Sequence, residues 1–121
     1  MELTAVYECL CDPTRLRILR ALAEGPLCVC HLQEALDEPQ VKMSKHLAYL
    51  KSHGAVVAER RGSWMIYAVP DSPHAALRAN LDHLLSAVKD PLFRDDARRL
   101  AKVRKSFAAG APSCAPVSRC K

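Results

Sequence analysis

The sequence predicts a mainly helical domain carrying a single β-hairpin, arranged as a winged helix-turn-helix dimer. Three observations predict it. Apolar residues recur at helical spacing along most of the chain. Two short helical patterns, the second polar on one face, are joined by the tight turn Asp37-Glu38-Pro39. The period then becomes strand-like at Ala55 and returns to helical after Val69.

Leu3, Val6, Tyr7 and Leu10 place a first short helix. Asp12-Pro13-Thr14 starts a second, with Asp as N-cap and Pro at the first helical position. Leu16, Ile18, Leu19, Leu22 and Ala23 face inward from it, Arg15, Arg17 and Arg20 mostly outward, and Gly25-Pro26 stops it. A third helix covers Val29 to Leu36 and a fourth Gln40 to Ser52, with Met43, Leu47 and Leu50 toward the core and Gly54 at its end. Ala55 to Arg60 and Trp64 to Val69 are the two strands of a hairpin about Arg61-Gly62-Ser63, in the place of a wing. Pro73 opens a helix whose stripe Leu77, Leu81, Leu84, Leu85 and Val88 is regular enough to face a second subunit. Asp90-Pro91 opens a last helix to about Phe107, whose many Arg and Lys residues read as a solvated face. Residues 1–107 thus form one domain, and 108–121 a flexible tail of small residues containing Cys114 and Cys120.

A chain of 121 residues is one domain by size. It contains no run of about eighteen apolar residues, and Met1-Glu2 opens no basic or apolar leader, so a cytoplasmic protein without membrane contact is expected. The formal net charge of +5 favours a polyanionic partner, nucleic acid first. Six cysteines in a helical, cytosolic chain are packing residues, metal ligands or redox sensors rather than disulfide staples.

Two features carry chemistry. Gln40, Lys42, Ser44, Lys45 and His46 occupy the first two turns of the fourth helix, the part of a recognition helix that meets base edges in the major groove. Arg60 and Arg61 at the wing tip are expected at phosphate or the minor groove, with Trp64 and Tyr67 as wing core. Ten residues before the helix, Cys28 and Cys30 are paired thiols, which suit soft metals and metalloids. Residues i and i+2 of a regular helix point about 200° apart, so joint coordination needs Cys28 outside the helix or an unwound first turn. The pair supplies two ligands. Cys9, Cys11, Cys114, Cys120 or a small cellular thiol can supply a third; His31 can serve zinc but reads as a solvated polar residue.

Leu10-Cys11-Asp12-Pro13-Thr14-Arg15-Leu16-Arg17-Ile18-Leu19 resembles a segment of the ArsR/SmtB repressors, and Leu27-Cys28-Val29-Cys30-His31-Leu32 resembles their metal box, Leu-Cys-Val-Cys-Asp-Leu. Ser44 to Leu50 with Gly54 is similar to their recognition helix, and Gly62-Ser63-Trp64 with Tyr67 to their wing. The resemblance spans about residues 3 to 88. Gln33 stands where the arsenic-responsive archetype often has a third cysteine, and His31 stands for the Asp of the box. His74, Asp82 and His83 do not have the spacing of the family's zinc site on the long helix, which is not carried over.

The resemblance implies a homodimeric repressor, not an enzyme, that binds an inverted-repeat operator without a cofactor and leaves it when arsenite or antimonite binds. Three other readings stay open. One is the same fold answering to cadmium, lead or zinc; another is a thiol-redox sensor; the third is a metal-binding chaperone.

Overall fold

The computed structural model describes residues 1–108, with side chains to residue 106. Cys114 and Cys120, and so the expected tail, lie outside the described residues. The elements are α1 (Leu3–Leu10), α2 (Pro13–Ala23), β1 (Leu27–Cys28), α3 (Val29–Leu36), α4 (Gln40–Ser52), β2 (Val57–Arg61), β3 (Trp64–Ala68), α5 (Ala75–Ser86) and α6 (Arg94–Ala108). No described helix is long and apolar enough to cross a membrane.

The local signals act as their chemistry demands. Asp12 Oδ2 accepts hydrogen bonds from the Thr14 and Arg15 backbone N–H groups at 2.9 and 3.1 Å, with Pro13 behind it. After α4, Gly54 takes φ 83°; its N–H donates to Lys51 O at 3.1 Å while the Ala55 N–H donates to Leu50 O at 2.9 Å. This paired arrangement turns the chain out of the helix. Asp37 closes α3 at φ 53°, a left-handed conformation that Asp tolerates better than most side chains.

The sheet has the order β1-β3-β2, antiparallel throughout, with Leu27 opposite Tyr67, Cys28 opposite Ile66 and Arg61 opposite Trp64. β1 was not expected, because two residues are too short for any alternation to show. It ties the start of α3 to the wing.

The core is shared by all six helices, with Val6, Ile18, Leu32, Leu47, Leu77 and Leu100 all fully buried. Three expectations are corrected here. In the leucine stripe, Leu77, Leu81 and Leu84 pack into the protein's own core, leaving Leu85 and Val88 outward. The helix bearing that stripe starts at Ala75, capped by His74 Nδ1, which accepts from the Ala76 N–H at 3.0 Å. The arginines are not all solvated. Arg20 is buried and pairs with Glu24 at 2.6 Å, and Arg17 grips both Asp96 and Glu38. In α6, which begins at Arg94 after a turn over 91–93, Arg99 donates to Ala35 O and Arg104 to Gly25 O. Since Arg99 meets the end of α3 and Arg104 the residues before it, α6 lies antiparallel along α3.

Candidate metal centre and nucleic-acid interface

Cys28 is the last residue of β1 and the N-cap of α3, with extended backbone at φ −81° and ψ 163°. That placement removes the helical obstacle to a Cys-x-Cys pair. The two sulfurs lie 3.3 Å apart without any unwinding of α3. His31, one helical turn on, folds inward and brings Nδ1 to 3.2 Å from Cys28 Sγ. It is 2% exposed, so the expectation of a solvated residue is wrong. α6, β1 and β3 all pack against α3, contacts of which the sequence gives no sign. The ligand atoms of Cys28, Cys30 and His31 all lie within 4.8 Å of one another.

Trp64 and Ile66 of β3 pack against Cys28, as does Cys30, so the Cys28 side chain rests on the wing. Cys30 is half-buried and faces an open groove of about 640 Å³ that is also lined by Gln33, Glu34, Asp37, Glu38 and Pro39. Cys9 and Cys11 sit elsewhere, at the end of α1. Cys9 is fully buried, and burial pushes its thiol up, partly offset by the Arg15 charge. Cys11 is exposed and its Sγ donates to Glu8 O at 3.2 Å.

Gln40, Lys42, Ser44 and Lys45 are exposed on the first turns of α4, and Lys42 Nζ reaches Glu38 at 3.1 Å. His46 turns away from them. Its side chain is 13% exposed, with Nδ1 3.9 Å from Asp12. Burial lowers its basicity, Asp12 opposes that, and Arg15, Lys45 and Lys42 add to it. Val41, an apolar residue, is 81% exposed on this surface. Its signal was its position among the polar residues of the first turn. Arg60 and Arg61 are exposed at the end of β2, with Arg61 3.3 Å from Glu59, and Gly62 turns the hairpin at φ 66°.

The support beneath α4 is specific. Arg15 stacks its guanidinium 4.1 Å from the Tyr49 ring centre and donates to the carbonyls of Cys9 and Glu8. α1, α2 and α4 are thereby locked together, and the exposed face of α4 is held by a rigid scaffold.

Comparison with known proteins agrees with this architecture. Residues 12–56 match the profile of the bacterial regulatory protein, arsR family. The chain is 38% identical over 102 residues to the arsenic resistance transcriptional regulator ArsR1 of Pseudomonas putida, covering 81% of this chain and 77% of that one. It is 44% identical over 70 residues to the arsenical resistance operon repressor of Escherichia coli, covering 57% and 58%. Among solved structures, the cadmium metal-sensor CMTR of Mycobacterium tuberculosis is similar with a TM-score of 0.56 and 34% identity, covering 71% of this chain and 86% of that one. With the wing, the helix-turn-helix and the cysteine box in place, the chain belongs to the ArsR family, as a winged helix-turn-helix transcriptional repressor and not an enzyme.

Proposed function

We propose that this repressor binds an inverted-repeat operator as a homodimer and leaves it when arsenite or antimonite is captured by Cys28 and Cys30. The observation that carries the reading is the 3.3 Å approach of the two sulfurs at the junction of β1 and α3. Trivalent arsenic and antimony are soft and take thiolates. The names of the Pseudomonas and Escherichia relatives point to the same inducer class.

The junction has two outlets. Through α3 and the Asp37 turn it leads to α4, and through the pairing of Cys28 with Ile66 it leads to the wing. Drawing the sulfurs around an ion therefore bears on both DNA-facing elements at once. Trivalent arsenic prefers a third thiolate. The run of α6 toward Gly25 supports Cys114 or Cys120 in that role, because the chain leaves α6 at the Cys28 end of α3. The outward apolar residues Leu3 and Tyr7 of α1, Leu85 of α5 and Val88 in the turn after it support a homodimer interface. A two-fold dimer presents two recognition helices to two half-sites. No cofactor is needed for this DNA contact. The cytoplasm, where thiols stay reduced, suits the sensor.

Operator release tests the reading. Cys28→Ser and Cys30→Ser should bind operator as the natural protein does, yet stay bound when arsenite is added. If the doubly substituted protein lets go at the natural protein's arsenite concentration, the sensor is elsewhere. By linkage, operator DNA must weaken arsenite binding by the same factor that arsenite weakens DNA binding.

A further inference from the structure

We infer that Glu38 is a specificity-determining residue, which holds the Lys42 ammonium at one place on the reading face of α4 and is itself held by Arg17. The inference rests on α4 reading operator DNA and names what orients one of its contacts.

The chain of contacts is continuous. One carboxylate oxygen of Glu38 accepts from Arg17 Nη1 at 2.7 Å, and the other from Lys42 Nζ at 3.1 Å. Arg17 cannot swing to follow Glu38. Its Nε and Nη2 donate to Asp96 of α6 at 2.7 and 2.9 Å, and Nη2 donates also to Leu36 O at 2.6 Å. Asp96 is buried, the Glu38 side chain is 19% exposed and that of Lys42 is 43% exposed. The relay is thus anchored in the core and open at the end that meets a ligand.

Lys42 lies in the first turn of α4, the part of a recognition helix that meets base edges. A lysine is a point charge on a flexible four-carbon stem. Left untethered, it goes to the nearest phosphate, which is present at every sequence and carries no information. Tethered to Glu38, the ammonium keeps further N–H donors and can offer them to guanine O6 or N7 from one position only. Charge acts in the same direction. If Lys42 leaves for a phosphate, Glu38 loses a cation and turns a less compensated carboxylate toward DNA. That penalty falls on the sequence-blind contact and not on the reading one.

The test compares the full-length natural protein, Glu38→Gln, Lys42→Met and the double variant by fluorescence anisotropy. The probes are operator, operators altered one base pair at a time, and random duplex, each across a salt series. Glu38→Gln keeps the side chain's shape and an acceptor for Arg17. It should bind random duplex more tightly, and its preference for operator should fall at least about fivefold, the lower end of what a base contact is worth. Its logarithmic salt slope should steepen by about 0.9, as Lys42 takes one phosphate. Lys42→Met alone should lose discrimination at one base pair with little change of slope. Added to Glu38→Gln, it should lose no further discrimination and should restore the slope. Equal shifts on operator and random duplex in Glu38→Gln, or effects of the two substitutions that simply add, overturn the inference while operator binding by the natural protein stands. Lys42 is exposed, so Lys42→Met decides the matter even if Glu38→Gln fails to fold. An even loss over all sequences with a flatter salt slope overturns the inference. A natural protein with no preference for operator over random duplex overturns the reading of α4 as well.

Discussion

Arg17 and Asp96, 79 residues apart in sequence, meet through two hydrogen bonds of 2.7 and 2.9 Å. The same guanidinium donates to Leu36 O and to Glu38, so one side chain joins α2, α6 and the helix-turn-helix turn. Asp96 is nearly inaccessible and is also held by Arg99. The hydrogen bond to Asp96 is the chief cause that raises the Arg17 guanidinium's hold on its proton, against its partial burial.

Removing the carboxylate should strand two arginines. Breaking a buried pair by deleting one partner costs about 3–5 kcal/mol; Arg17 keeps some solvent contact, so about 3 kcal/mol is expected for Asp96→Ala. Asp96→Asn, which keeps acceptor capacity, should cost less. Urea unfolding of the metal-free protein measures both, and equal stability of Asp96→Ala and the natural protein would contradict the pairing.

On the DNA side, Lys45→Ala and Gln40→Ala should each weaken specific operator binding about tenfold or more, because a good base contact is worth roughly 1–3 kcal/mol. Val41 has no polar atom to offer, but its exposed methyl groups suit a thymine methyl. Val41→Ala should lose about fourfold to fifteenfold at one thymine position, for one or two CH₂ equivalents at about 0.8 kcal/mol each. Fluorescence anisotropy against operators altered one base at a time would locate each contact. A uniform loss across all sequences would instead assign the residue to the phosphates.

The two neighbouring leucines of α5 should behave oppositely. Leu84 is 7% exposed and Leu85 is 36% exposed. Leu84→Arg buries a charge in the core and should unfold the chain. Leu85→Arg should leave circular dichroism intact while sedimentation shows monomer and operator binding falls. A folded dimer with Leu85→Arg would place the two-fold interface away from this helix.

Acid should destabilise the fold through two groups. Hydrogen bonding from Arg17 is the main reason Glu38 lies below the usual carboxylate range, against desolvation, with Lys42 contributing. Burial is the main reason His46 lies below the usual histidine value. Both groups bind protons more readily when unfolded. Their stabilisation is complete above the unfolded pKa values, about 6.5 for histidine and about 4.3 for glutamate. It is lost as pH falls, for His46 between its unfolded and folded values and for Glu38 through its folded value. Urea midpoints should therefore drop on acidification, and Glu38→Gln should flatten the lower limb of that curve.

Local chemistry was legible in the sequence. Asp12-Pro13, Gly54 and Gly62 act through their own backbone neighbourhoods, and they end and start elements where their residue types require. The spacing of Met43, Leu47 and Leu50 likewise dictates a buried stripe. What could not be read depends on distant partners. His31 looks polar and free on a short helix until the fold buries it beside Cys28. Arg17 and Arg99 look like surface charges until α6 brings Asp96 and the carbonyl of Ala35 within reach. Leu84 and Leu85 differ by one position on a helix, and the packing of α5 on α2 and α1 decides which is covered.

Because Cys28 stands ahead of α3 and not within it, the sulfurs are neighbours before any ion arrives. Capture then has no local melting step ahead of it. Its speed should follow diffusion and stay first order in ion at every concentration. A saturating, ion-independent rate would betray a slow rearrangement that this arrangement does not require. Far-ultraviolet ellipticity should likewise hold steady through the titration, so the message to DNA is a small change of angle between rigid pieces.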